Sequence, residues 1–126
     1  MPDLEQQRAA YAWQQASRSW SKDYENLAKA APALIMNNGL MQTLAFFESK
    51  GKSKSHFREL SQHICNWLGR RFHGIKPFPE SETQASFQNI MRALYESQPL
   101  VYRQATEEAM ALLKWIRQFA SAVNAA

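Results

Sequence analysis

Apolar side chains return at steps of three and four along most of the chain, the period of one face of an α-helix. Ala9, Trp13, Ala16, Trp20, Tyr24, Leu27 and Ala31 form the first such series, which predicts a helix over residues 3–31. Pro32 ends it in this reading and opens the next helix, where its missing N–H is not needed. The second series, Met36, Gly39, Leu40, Thr43, Leu44 and Phe47, passes through the turn-forming dipeptide Asn38-Gly39 without losing phase. A glycine inside a helix costs about 0.5–1 kcal/mol relative to alanine. The pattern therefore predicts that Gly39 is a notch on a buried face, left where another helix backbone crosses close by.

The segment SKGKSKS, residues 49–55, breaks the period and is predicted as a loop, with Ser53 or Ser55 capping the following helix. That third helix turns Phe57, Leu60, Ile64, Trp67 and Leu68 inward, and His56, Glu59, His63, Asn66 and Arg70 outward. Two prolines in GIKPFPES, residues 74–81, bring it to a stop. Ser81 and Gln84 have the spacing of a capping box and predict a fourth helix bearing Phe87, Met91, Leu94 and Tyr95. After Ser97-Gln98-Pro99, a fifth helix runs to about Ala122 on Tyr102, Ala105, Thr106, Ala109, Leu113, Ile116 and Ala120. Nothing reads as a strand and no linker divides the chain. The expected fold is all-α, a single-domain bundle of about five helices over residues 1–126.

Composition supports this picture and limits the setting. With 45% hydrophobic residues in 126 positions, the chain can bury a core of its own and is not a disordered polymer. A single cysteine, Cys65, precludes an internal disulfide and suits a reducing compartment. The stretch MPDLEQQRAAYAWQQ lacks the apolar centre of a signal peptide. No run approaches the ~18 consecutive apolar residues of a membrane span, so the expected location is the cytoplasm, with no membrane partner.

Candidate catalytic chemistry is sparse. His63 and Cys65 stand about 200° apart on a helix and have no second cluster to complete a zinc site, so no metal is expected. Cys65 as a nucleophile needs a histidine base and an orienting third group, and nothing marks either. Glu107 and Glu108 are neighbours whose side chains diverge by about 100°, so they read as a solvated face. Phosphate-binding, metalloprotease and serine-hydrolase motifs are all missing. Trp13, Trp20 and Trp67 fall on the helical stripes and read as core, while Trp115 lies beside one. No catalytic residue and no cofactor is expected, and an enzyme is the least supported reading.

Charge is more informative. The chain carries a net +4, yet residues 50–76 alone hold seven cations against the single acid Glu59. Lys50, Lys52 and Lys54 occupy the predicted loop, and Arg70 and Arg71 end the third helix. Lys114 and Arg117 form a second basic edge on the fifth helix, where Arg103 is spaced to pair instead with Glu107. Point charges along a groove suffice to hold phosphates without sequence choice. The same arginines also suit a protein contact.

Three blocks together are more specific: RAAYAW (8–13), LAKAAPALIMNNGLMQTLAFFESKGK (27–52) and YRQATEEAMALLKWIRQFASA (102–122). They resemble the small subunit of the Cmr complex, the type III-B CRISPR effector that uses a guide RNA to capture complementary RNA. Residues 53–98 match only in general character. The resemblance implies an all-helical, non-catalytic subunit whose copies stack into a short filament beside the larger backbone subunits. It implies as partners the other Cmr subunits, including the backbone subunit, and the guide RNA–target RNA duplex, bound without sequence preference. Lys50, Arg103, Lys114 and Arg117 lie in the matching blocks. Lys52, Lys54, Arg70 and Arg71 join the expected RNA-binding set from charge alone. The competing readings are a helical protein–protein interaction module that touches no RNA, and a DNA-binding regulator. The second is disfavoured because both inter-helix loops exceed the three- or four-residue turn of a helix-turn-helix.

Overall fold

The computed structural model describes residues 1–16 and 21–124, and among them there are six α-helices and no strand. They are α1 (Leu4–Ala16), α2 (Lys22–Asn38), α3 (Leu40–Lys50), α4 (Ser55–Arg71), α5 (Phe87–Glu96) and α6 (Pro99–Asn124). Trp20, placed on the first stripe above, lies outside the described residues.

The long predicted first helix is divided, and Pro32 does not end a helix. α2 begins where the Ser21 hydroxyl accepts the Tyr24 backbone N–H at 3.0 Å, with Asp23 and Glu25 in the first turn complementing the helix dipole. It then runs through Pro32 to Asn38. Proline forfeits one hydrogen bond, to the Ala28 carbonyl, but Ala28, Ala31 and Ile35 keep a continuous buried face across that point.

Gly39 is the break rather than a notch. Its φ of 86° and ψ of 160° lie in a region essentially restricted to glycine. Its N–H donates to the Ile35 carbonyl at 2.7 Å and closes α2, while its own carbonyl accepts the Thr43 N–H at 3.1 Å and opens α3. A Cβ at Gly39 would meet only the Tyr102 hydroxyl, at an ordinary 3.5 Å, so conformation and not space requires glycine there. The close approach expected at Gly39 is found instead at Gly69. A Cβ there would stand 2.5 Å from Cβ of Ala85, which packs the segment before α5 directly onto α4.

Two further ends differ from expectation. α4 is capped at Lys54 with no side-chain hydrogen bond, so neither Ser53 nor Ser55 serves. Ser81 and Gln84 bound a 3-10 turn, and α5 starts at Phe87, where the Ser86 hydroxyl accepts the Asn89 N–H at 3.1 Å.

One core draws on all six helices. α6 supplies the small residues Ala105, Ala109 and Ala120 together with Leu112, Leu113 and Ile116, and packs against α1 and α2. α2 and α6 run antiparallel. Asn124 reaches Glu25 near the start of α2, whereas Tyr102 sits at the α2–α3 junction, where its hydroxyl accepts the Met41 N–H at 3.3 Å. Three aromatic or apolar residues assigned to inner stripes are exposed: Trp13, Met36 and Tyr95. Tyr11 and Ala12 set the inner face of α1, which turns Trp13 outward to lie edge-on to Phe119.

Candidate nucleic-acid interface

The eight basic residues singled out by charge and resemblance do not form one patch. Lys50, Lys52 and Lys54 surround the turn between α3 and α4, and all three are exposed. Arg70 and Arg71 stand at the opposite end of α4, roughly 24 Å along its axis at 1.5 Å per residue. Arg103, Lys114 and Arg117 occupy α6 and are also exposed. Arg103, Lys114 and Arg117 fall within an arc of about 60° around the helix, and buried Ile116 lies about 100° or more from each of them. The three span roughly 21 Å of helix.

Pairing separates these residues further. Among the described residues Lys50, Lys52, Lys54, Arg103, Lys114 and Arg117 make no ion pair; the Arg103–Glu107 pair that their spacing permits is not formed. Arg71 is different. Its Nε lies 3.6 Å from Glu108 Oε2, and its guanidinium stands 5.4 Å from the Phe72 ring centroid. Arg70 lies over the Tyr11 ring at 5.0 Å. Both α4 arginines are thus engaged with the bundle, while the other six present their charge to solvent.

Glu108 does not lie on the solvated face that its sequence position suggests. It is buried, not solvated. Its carboxylate accepts Arg8 Nε at 2.7 Å and Nη2 at 2.9 Å, and the Trp67 indole N–H at 2.9 Å. Burial alone would push its pKa up, but the hydrogen bonds from Arg8 and Trp67 and the charges of Arg8 and Arg71 hold it below the ordinary value. The signal was present in the spacing: Glu108 precedes Leu112 by four and follows Ala105 by three, at the edge of the buried stripe.

His63, expected on the solvated side of α4, is partly buried. Its Nδ1 stands 2.8 Å from the Tyr24 hydroxyl, its backbone carbonyl accepts the Tyr11 hydroxyl, and burial lowers its pKa. Cys65 is buried, and desolvation pushes its thiol up to about 12, so it stays protonated in the folded chain and is a poor nucleophile. Among the described residues no three His, Cys, Asp or Glu side chains gather as metal ligands. A cleft of about 440 Å³ between α4 and the start of α5 is lined by Glu48, Asn66, Ser86 and Gln88 among others, with no histidine in its wall. No helix in the described residues is long and apolar enough to cross a membrane.

The class defined by these observations is an all-helical bundle whose accessible chemistry is unpaired positive charge. The family model of the CRISPR-associated protein Cas_Cmr5 matches residues 4–123. A CRISPR system Cmr subunit Cmr5 from Thermus thermophilus is 29% identical over 101 residues, covering 80% of this chain and 75% of that protein. The chain belongs to the CRISPR-associated Cmr5 family, the small subunits of Cmr.

Proposed function

We propose that this chain is the non-catalytic small subunit of a type III-B CRISPR effector in the cytoplasm, and that it helps to hold target RNA by contacts to the phosphate backbone. The observation that carries this reading is the exposed face of α6, where Arg103, Lys114 and Arg117 stand without an ion pair. In an RNA-guided particle the guide reads the target by base pairing, so a protein wall needs to supply only charge and shape. Six unpaired cations on rigid helices and one short turn meet that need. Arg70 and Arg71 have a second role: they hold α4 against Tyr11 and Glu108, and Arg70 adds positive charge at that end. Copies of the chain stack beside the backbone subunits, so that the basic faces of successive copies form one continuous wall.

A reading as a pure protein-interaction module draws on the half-exposed Trp13 and its neighbours Phe119 and Trp115, on the α1 side of α6. Recovery of the tagged chain from cells, with mass analysis of bound protein and bound RNA, separates the two. The RNA-holding reading expects Cmr subunits together with protected RNA. Partner proteins that survive nuclease treatment without any protected RNA would leave the interaction module standing.

A further inference from the structure

One face of α3 carries an aromatic ring a single helical turn before the lysine turn. Phe46 is 43% exposed although it is a large apolar side chain on a helix whose other aromatic, Phe47, is fully buried. Its ring packs against Phe57 at 5.8 Å in an edge-on arrangement and against Phe47 at 6.1 Å. His56 packs on Phe57 at 4.8 Å, which extends the support to the first turn of α4. Phe46 also lines a cleft of about 240 Å³ with Leu34, Thr43, Asn38 and Gln42. That volume lies below the roughly 300–1,000 Å³ typical of small-molecule pockets and suits one planar ring entering from the edge.

The charge around this ring is one-sided. Gln42, Phe46 and Lys50 lie at i, i+4 and i+8, so they share a stripe of α3. Backbone hydrogen bonds join the lysine turn to both supporting helices. Gly51 N–H donates to Phe47 O at 2.8 Å, Lys54 N–H to Lys50 O at 3.0 Å, and Phe57 N–H to Lys54 O at 3.1 Å. Between Gln42 and Lys54 the only acid is Glu48, and it is directed elsewhere, accepting the Ser61 hydroxyl at 3.1 Å with Arg58 at 3.8 Å. An exposed ring on a fixed support, with Lys50 one helical turn further along α3 and Lys52 and Lys54 in the turn that follows it, matches the chemistry of a single-stranded nucleic acid. The phosphates meet the lysines and a base lies on the ring. An apolar side chain from a protein would use the ring but leave the three cations unmatched.

We propose that Phe46 is a stacking platform for an unpaired base of an RNA strand, which enters the α2–α3 cleft while Lys50, Lys52 and Lys54 hold the flanking phosphates. The carboxamides of Asn38 and Gln42 then border the base edge. This rests on the RNA-holding role above, and adds to it a point where the strand is gripped through a base as well as through its backbone. Every base has a face to stack, so the contact favours unpaired over paired RNA without choosing a sequence.

The test uses the full-length protein, a single-stranded oligouridine, and a second oligonucleotide carrying one 2-aminopurine, whose emission falls on stacking. Phe46→Ala should weaken binding by about tenfold at every salt concentration, leave the slope of log affinity against log salt unchanged, and abolish the quenching. Phe46→Trp should restore both. Glutamine at Lys50, Lys52 and Lys54 should instead flatten the salt slope, by about 0.7 for each phosphate that no longer meets a cation. Thermal unfolding of each variant confirms that the fold is kept. Wild-type affinity and quenching in Phe46→Ala would overturn the stacking site and leave the RNA-holding role intact. No salt-dependent RNA binding by the wild-type chain, alone or in its complex, would overturn both. Loss of a partner subunit from Phe46→Ala with RNA affinity unchanged would assign the ring to a protein contact and end the proposal.

Discussion

Arg8 and Glu108 meet across 100 positions of sequence in a two-pronged ion pair, Nε to Oε1 at 2.7 Å and Nη2 to Oε2 at 2.9 Å. The pair fastens α1 to α6, and the Trp67 indole N–H and Arg71 bring α4 to the same carboxylate. Three helices thus share one buried anion, to which Trp67 gives a third hydrogen bond and Arg71 a positive charge 3.6 Å away. Such an arrangement is costly to half-remove, because each partner then lies desolvated without its counterpart.

Glu108→Ala should therefore destabilise the protein by about 2–4 kcal/mol, since it strands Arg8 and the Trp67 N–H in a closed site. Glu108→Gln keeps the shape and one acceptor and should cost less. Urea denaturation with an unchanged m-value checks both. If Glu108→Ala denatured at the wild-type midpoint, the clasp would contribute nothing to holding the three helices.

Gly39→Ala should destabilise by about 1–3 kcal/mol, because φ of 86° with ψ of 160° is closed to residues that carry a Cβ. Tyr102→Phe, which only removes the acceptor for the Met41 N–H, should cost about 1 kcal/mol. Thermal denaturation of the two variants orders them. A neutral Gly39→Ala would return Gly39 to the interior of an unbroken helix.

That junction also shows what the sequence conceals. In α3 the residues Leu40, Thr43, Leu44 and Phe47 are all buried, as their spacing predicted. The same phase carried back across Gly39 selects Met36, which is 77% exposed, whereas Ile35 is the buried residue. A single glycine outside helical geometry resets the register by one position, and the residue period on either side is too short to reveal it. Stripes lying within one unbroken helix were safer. Leu60, Ile64, Trp67 and Leu68 of α4, and Ala105, Ala109, Leu113, Ile116 and Ala120 of α6, are buried as expected, because three or more turns fix a phase. The exposure of Lys50, Lys52, Lys54, Lys114 and Arg117 was equally legible, since an unpaired ammonium or guanidinium is costly to bury. The commitment of Arg71 was not. It depends on Glu108 in a distant helix, and Glu108 was read by its charge rather than by its place on the stripe.

Acid should unfold the protein in stages set by three groups. Burial, only partly offset by Glu59, lowers the pKa of His63 from 6.5, so the unfolded chain takes up that proton first and stability begins to fall below about pH 6.5. Glu25 follows. Hydrogen bonds from Lys29 and Asn124, with Lys22, hold its pKa at about 2 against an ordinary 4.5. Its stabilising effect is complete above about pH 4.5 and disappears as the pH falls toward 2. Glu108 acts in the same direction, its folded pKa also being lowered. Denaturant midpoints measured from pH 7 to pH 2 should show the decline, and Glu25→Gln should flatten its lower part. A midpoint that rose on acidification would contradict the assignment of these groups.

Whether the exposed cations of α6 hold the RNA backbone is decided by the salt dependence of target-RNA capture in the assembled complex, comparing the wild-type chain with a double variant, Lys114→Glu and Arg117→Glu. Capture should be weaker at low salt with subunit composition unchanged. The slope of log affinity against log salt should be shallower by about 1.4 for each copy in which both single-strand phosphates go unneutralised. Equal capture and an equal slope in an intact complex would show that these cations do not touch the RNA.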